Sequence, residues 1–123
     1  MARQLSPTTI KKFEKLLAEE RNRISELLDT HEREREVAHR SETSSERTPD
    51  PTTAEGGSMA FEYQKELAVD FSLFDIVRKI DHAQDRIANG NYGNCETCGN
   101  AIPVARLGVL PHASQCVECA SKP

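Results

Sequence analysis

Two pairs of cysteines near the end of the chain constrain its fold more than any other feature of the sequence. Cys95 and Cys98 form one C-x2-C pair. Cys116 and Cys119 form the other, with 17 residues between the pairs. This spacing is typical of a four-cysteine zinc site, because each pair directs two sulfurs at one point and two pairs complete a tetrahedron. All four positions are cysteines, which leaves no coordination position for water and predicts a structural zinc ion.

Other uses of four cysteines stay open at this point: two disulfides, a thioredoxin-like redox pair, and an iron–sulfur or redox-sensing site. No apolar run typical of a secretion signal follows Met1, so we expect a cytoplasmic location, where thiols stay reduced. Zinc is therefore the preferred interpretation. Four thiolates around Zn²⁺ carry a net charge of −2, which we expect Arg106 and Lys122 to offset in part. We expect His112 on the surface or in a hydrogen bond, not as a further ligand.

A heptad pattern upstream predicts a first long helix. Ser6 and Pro7 are typical of a helix start, because the hydroxyl caps free N–H groups and proline tolerates the first helical position. Apolar residues then recur three and four positions apart. They are Ile10, Phe13, Leu17, Ile24 and Leu27, with Leu16 and Leu28 widening the stripe. The polar run 31–36 predicts that the helix continues into solvent.

A second helix is predicted over about 59–89, ending at Asn89-Gly90, where either residue tolerates the left-handed conformation. Its apolar seam is Val69, Leu73, Ile76, Ile80, Ala83 and Ile87. Further apolar residues, Leu67, Phe71, Phe74 and Val77, widen this seam, and we expect them to pack on the first helix or on the cysteine module. The segment 41–58 between the helices contains two prolines and two glycines and is predicted to be a loop.

The predicted fold class is mainly α. Residues 1–89 form a long antiparallel helical hairpin, a coiled coil with a tip loop at about 41–58, and residues 90–123 form a small four-cysteine zinc-finger module. Neither helix can bury its stripe alone, and pairing in an oligomer is the alternative to the hairpin. We expect a monomer.

Composition excludes several function classes. The chain has a formal charge of −4 and no tryptophan. Its cysteine module carries two basic and two acidic side chains, too few cations for direct recognition of nucleic acid. No apolar run approaches the length that crosses a membrane. So few aromatic residues argue against a deep apolar pocket, and we expect no enzyme activity.

The residues around the cysteines resemble a known family. Asn91-Tyr92-Gly93-Asn94 leads into the first pair, Ile102-Pro103, Arg106-Leu107 and Pro111-His112-Ala113 follow it, and Cys116-Val117-Glu118-Cys119 closes the motif. Together with a preceding helical hairpin, this looks like the DksA/TraR family of bacterial zinc-finger transcription regulators. The resemblance is specific from about Ile87 to Ala120 and architectural in the hairpin.

The resemblance implies a partner and a mechanism. Proteins of this family bind RNA polymerase, insert the hairpin tip into its secondary channel and modulate initiation. The residues implied at the tip are Glu46, Asp50, Thr53, Ala54 and Glu55. In the family's Asp-x-x-Asp-x-Ala tip pattern, Thr53 replaces the second Asp and Glu55 replaces the Ala. Lys79 is implied as an alarmone or channel-rim contact.

A different class of function stays open beside this one. The altered tip and the apolar breadth of the second helix are also consistent with a zinc-bearing coiled-coil adaptor for another protein, which would not act on polymerase. Binding to purified polymerase separates the two hypotheses.

Overall fold

The computed structural model describes residues 2–44 and 54–122. Four helices account for most of this part of the chain: α1 (Pro7–Ser44), α2 (Ala54–Asn89), α3 (Val104–Val109) and α4 (Val117–Ala120). The only β-pairing among these residues is an isolated antiparallel bridge between Asn94 and Ala101. The mainly helical class with long helices and a C-terminal four-cysteine module is confirmed. The chain divides into a first unit, Met1–Asn22 with Ile76–Pro123, and a second unit, Arg23–Asp75.

The predicted start of α1 is confirmed. The Ser6 hydroxyl accepts a hydrogen bond from the Thr9 backbone N–H at 3.2 Å, and the Ser6 carbonyl accepts one from Ile10 at 3.0 Å. Pro7 occupies the first helical position. Because the first N–H groups of a helix have no partner within it, this cap fixes where the helix begins.

The predicted end of α2 is confirmed as well. Gly90 follows the last helical residue with a φ of +79°, in the left-handed region that favours glycine. The N–H of Asn91 donates to the Arg86 carbonyl at 2.8 Å, and the N–H of Gly90 donates to Ile87 at 3.2 Å. This pair of bonds is the Schellman arrangement, which satisfies carbonyls that the helix leaves free.

The predicted loop over 41–58 is wrong at both ends. Helix α1 continues to Ser44, and α2 begins at Ala54, five residues before its predicted start. An apolar seam reports where a helix is buried, but a solvated helix can extend beyond its apolar seam. In this solvated part of α1, Arg40 pairs with Glu36 at 2.6 Å, the i,i+4 contact that supports an exposed helix.

The first unit buries one apolar core. Its buried apolar residues are Phe13, Leu17, Ile80, Ala83, Tyr92, Cys95, Ile102, Leu107 and Ala113. The Phe13 and Tyr92 rings lie 6.0 Å apart at an interplanar angle of 54°, which joins α1 to the cysteine module. Arg21 pairs with Asp81 at 2.8 Å, which joins α1 to α2 in this unit. The core therefore holds two helix segments and the cysteine module together.

In the second unit, the seam of α2 differs from the prediction. Val69 is 48% exposed, whereas Asp70 is 3% exposed and takes the inward position. The reason lies on α1: His31 donates to Asp70 at 2.7 Å, and Arg35 pairs with its other oxygen at 2.6 Å. On α1, Leu27, which was predicted in the apolar stripe of that helix, is 43% exposed. A charged cluster thus replaces apolar packing at this level.

The outward aromatic residues of α2 also differ from the prediction. Phe71 is 69% exposed and Phe74 is 52% exposed, so the expectation that they pack on α1 or on the cysteine module is wrong. The seam of α2 lies on the side of Asp70 and Leu73, and Phe71 and Phe74 lie beside it on the helix surface.

Candidate metal centre

The four cysteines come together in the first unit. Their Sγ atoms all lie within 4.8 Å of one another, and the Sγ atoms of Cys98 and Cys116 are 3.8 Å apart. Cys95 is buried and Cys98 is exposed. The cluster thus stands at the edge of the core, with one ligand anchored inside it.

The first C-x2-C pair lies in a tight turn shaped by its backbone. The Cys95 N–H donates to the Asn100 carbonyl at 2.7 Å, and the Gly99 N–H donates back to the Cys95 carbonyl at 2.9 Å. Gly99 has a φ of +77°, a value that residues with a Cβ rarely adopt. The turn therefore aims both sulfurs to the same side.

The second pair lies at the start of α4. Cys116 is the N-cap residue, and its carbonyl accepts a hydrogen bond from Ala120 at 2.9 Å. Two hydrogen bonds then join the pairs: the Glu96 N–H donates to the Ser114 carbonyl at 2.9 Å, and the Gln115 amide donates to the Thr97 hydroxyl at 3.0 Å. These bonds hold the two turns face to face.

The electrostatics of the four sulfurs suit a divalent cation. Hydrogen bonds from backbone N–H groups, first that of Cys98, lower the pKa of the Cys95 thiol to about 5 despite its burial. The neighbouring sulfurs, first that of Cys116, raise the pKa of Cys119 to about 12. One thiolate thus forms readily, but crowding opposes ionisation of all four. A bound Zn²⁺ removes this conflict, because thiolates are its ligands and it compensates their repulsion.

The neighbouring candidates are placed as follows. His112 is half-buried and is not among the four clustered ligand atoms, and burial, with the charge of Lys79, lowers its pKa. Arg106 donates to the Gln115 carbonyl at 3.2 Å, next to Cys116. Lys122 is exposed to solvent. Water therefore screens its charge.

A segment near the N-terminus is hydrogen-bonded to the residues beside the first cysteine turn. The sequence alone did not predict this contact. The Arg3 N–H donates to the Asn94 side-chain oxygen at 2.9 Å, the Asn94 amide donates back to the Arg3 carbonyl at 2.8 Å, and the Arg3 guanidinium donates to the Ile102 carbonyl. Gly93 has a φ of +93°, and a Cβ there would come within 2.9 Å of Leu5. Asn94, one residue before the first ligand, is thus fixed from both sides.

Tyr92 anchors the module to its later turn. Its hydroxyl donates to the Pro111 carbonyl at 2.7 Å, and burial raises its pKa to about 12. A buried tyrosine with a satisfied hydroxyl is a packing residue, and we assign it no other role.

The predicted tip residues lie at or beyond the limits of the described structure. Glu46, Asp50 and Thr53 lie outside the described residues. Ala54 and Glu55 belong to the first turn of α2. Lys79 is exposed on α2 in the first unit, where its charge acts on His112.

Comparison with known proteins identifies the same zinc-finger module and a similar fold. Residues 90–123 match the model of the prokaryotic dksA/traR C4-type zinc finger. The structure of transcription factor DksA2 from Pseudomonas aeruginosa has a TM-score of 0.71 and 25% sequence identity, and the match covers 94% of this chain and 82% of that chain.

Curated relatives add two sequence matches. The RNA polymerase-binding transcription factor DksA of Caulobacter vibrioides is 30% identical over 105 residues, which are 85% of this chain and 63% of that protein. An uncharacterized protein of Aquifex aeolicus is 40% identical over 62 residues, 49% of this chain and 43% of that protein. The chain thus spans less than two thirds of the length of these relatives.

No helix within the described residues is both long and apolar enough to cross a bilayer. The C4-type match and the clustered sulfurs together identify one structural zinc ion as the cofactor. Residues 90–123 thus carry a DksA/TraR C4-type zinc-finger motif, and the chain is similar to DksA proteins over most of its length.

Proposed function

We propose that this protein is a transcription regulator that binds RNA polymerase directly and acts as a monomer. One observation carries the proposal: the fold matches transcription factor DksA2 over 94% of this chain. The name of the Caulobacter relative, an RNA polymerase-binding transcription factor, supplies the partner. The acidic chain, with a formal charge of −4, supports a protein partner over nucleic acid.

Cys95, Cys98, Cys116 and Cys119 are the proposed zinc ligands, and their role is structural. When bound, zinc supplies folding free energy to a module of 34 residues that buries few large side chains. The cysteines hold the ion, and the hydrogen bonds at Glu96 and Gln115 keep the two turns together. The module presents a fixed surface to polymerase and performs no chemistry.

The finer mechanism is insertion of the α1–α2 connection into the secondary channel of polymerase. Asp50 and the neighbouring residues Glu46, Thr53, Ala54 and Glu55 would then approach the active site and change initiation. Asp50 matches the first Asp of the family's Asp-x-x-Asp-x-Ala pattern, whereas Thr53 and Glu55 differ from the second Asp and the Ala. Lys79 on α2 would contact the channel rim or an alarmone bound there.

Competition for polymerase tests this proposal. The zinc-loaded chain, labelled with a fluorophore, is titrated with purified bacterial core polymerase, and a known secondary-channel factor is then added. We expect binding that the competitor reverses. Binding that the competitor leaves unchanged contradicts insertion into the channel, and no binding at tens of micromolar contradicts the polymerase as partner.

The exposed aromatic residues favour a second candidate function, a zinc-bearing coiled-coil adaptor for another protein. Phe71 and Phe74 are three residues apart on α2 and are 69% and 52% exposed, and exposed apolar clusters mark protein-binding surfaces. The same titration separates the candidates, because an adaptor of this kind leaves core polymerase unbound.

A further inference from the structure

A buried arginine at the end of α2 forms no close ion pair with an acidic residue of the described chain. Arg86 is 8% exposed and belongs to the last turn of α2. Among the described residues, the ion pairs closer than 4 Å do not include it. Burying a guanidinium is costly unless hydrogen bonds and a counter-charge compensate it, so its environment requires an explanation.

The hydrogen bonds of Arg86 go to both halves of the metal centre. Its guanidinium donates to the carbonyls of Asn91 at 2.9 Å, of Asn94, and of Ser114 at 3.5 Å. Asn94 directly precedes the first ligand, Cys95, and Ser114 lies two residues before Cys116. One cation therefore joins α2 to the backbone that leads into each cysteine pair.

Glu96 interacts electrostatically with Arg86, and a zinc-loaded centre of four cysteines would be a second anion next to its hydrogen-bond acceptors. Four thiolates around Zn²⁺ leave a net charge of −2. Glu96 lies in the same region, and the charge of Arg86 contributes to the lowering of its pKa, but a hydrogen bond from His82 at 2.8 Å is the larger cause. Glu96 is thus engaged by His82 on the exposed side.

We propose that Arg86 is the positioning residue and counter-charge of the zinc centre, holding both cysteine pairs and stabilising the thiolates electrostatically. The sequence pointed to Arg106 and Lys122 for this role. Arg106 is less buried and donates to a single carbonyl of the second pair, and Lys122 is exposed. Arg86 is both the most buried of the three cations and the one that spans both pairs.

Two substitutions separate charge from shape, and the full chain is used throughout. Arg86→Gln keeps a hydrogen-bonding side chain without the charge, whereas Arg86→Lys keeps the charge without the planar fork. Lys122→Gln removes a charge from an exposed position of the same module and is the control. Zinc affinity is measured at pH 7 by competition with a chromogenic chelator.

We expect Arg86→Gln to weaken zinc binding by about 10–100-fold, the range seen when an outer partner of a metal ligand is lost. Arg86→Lys should stay within about threefold of the parent chain, and Lys122→Gln should leave the affinity unchanged. Equal affinities for the parent chain and Arg86→Gln would overturn the proposal, as would an equal loss for the lysine and glutamine variants.

A spectroscopic measurement on Co²⁺-loaded protein covers the case in which Arg86→Gln folds poorly without metal. A nearby cation lowers the energy of the sulfur electrons, so removing it should move the thiolate-to-cobalt charge-transfer band of Arg86→Gln to longer wavelength, with Arg86→Lys at the parent position. An unshifted band in the glutamine variant would contradict an electrostatic role. If the glutamine variant takes up no Co²⁺, uptake by the lysine variant supports the proposal and its failure contradicts it.

Discussion

At the scale of single residues, the metal centre combines four clustered cysteines with Arg86, a buried arginine that donates to the backbone before each pair. A C-x2-C pair is a local pattern, so spacing alone indicated four ligands around one ion. Arg86 lies beside a seam residue, Ile87, in a helix with several other charges, and nothing in the pattern marks it as buried. The Schellman turn after α2 and the return of the chain to Ser114 bring the acceptors to it.

Asp70 shows the same limit of sequence reasoning. The heptad pattern favoured Val69 as the inward residue because valine is apolar, yet Asp70 is the buried one. His31 and Arg35, four residues apart on α1, are on one helical face and both contact its carboxylate. A histidine and an arginine at this spacing opposite a lone acid are the signal that would have identified the cluster.

Loss of a single zinc ligand should unfold the module and spare the long helices. A serine oxygen is a poor substitute for a thiolate, so Cys98→Ser should lose zinc and with it the ordered structure of residues 90–122. Most of the helical circular dichroism should remain, because α1 and α2 contribute most of the helix. Metal analysis and circular dichroism of the purified variant measure both effects. Glu118→Gln is the control within the same pair, and an unchanged zinc content in Cys98→Ser would refute the ligand assignment.

The Asp70 cluster should stabilise the fold only where the carboxylate is ionised. Burial alone raises the pKa of Asp70, but hydrogen bonds from His31 and Arg35 outweigh it and hold the pKa below its ordinary value. Its contribution is therefore complete above the unfolded pKa of about 3.9 and is lost as the pH falls through the folded pKa. We expect Asp70→Asn to cost about 1.5–3 kcal/mol at pH 7 and much less at pH 3.

Urea unfolding of the parent chain and of Asp70→Asn at both pH values measures this difference. Asp81→Asn is the matched control, because the Arg21–Asp81 pair is about half exposed and solvent-exposed ion pairs contribute little to stability. The two chains could instead differ in free energy of unfolding by the same amount at pH 7 and at pH 3. That result would show that the ionised carboxylate is not the source of the stability.

At the scale of the helices, the sequence predicted the capped ends well and the solvated ends poorly. Ser6-Pro7 and Asn89-Gly90 have specific backbone roles, so α1 begins and α2 ends where expected. At Ser44 and Ala54, no apolar seam marks the end of the helix, and both helices extend beyond their seams. The connection between the described helices is consequently shorter than the predicted loop of 41–58.

This connection carries the prediction for the tip. If Asp50 acts in the channel, Asp50→Asn should reduce the effect of the protein on initiation severalfold, because the carboxylate charge is lost. Its affinity for polymerase should change little, since the zinc module and the helices remain. In vitro transcription and the competition titration measure the two quantities. Thr52→Ser is a neutral control nearby, and full regulatory activity of Asp50→Asn would show that this carboxylate has no role.

At the scale of the whole molecule, the zinc centre rests on the zinc-finger match and the clustered cysteines, and the proposed partner rests on the similarity to DksA proteins. Zinc, Arg86 and the N-terminal segment each stabilise the same small module, and the Phe13–Tyr92 contact joins it to α1. In this account the module supports binding, and the connection between α1 and α2 acts on the enzyme.

Site-specific photo-crosslinking from position 50 tests that account most directly. A benzoylphenylalanine replaces Asp50 in the zinc-loaded chain, which is irradiated with core polymerase, and the crosslinked peptides are mapped by mass spectrometry. The same label at Lys122 is the control for the module. The account predicts crosslinks from position 50 within the secondary channel near the active site and crosslinks from position 122 only on the outer surface. Crosslinks from position 50 confined to the outer surface would contradict it.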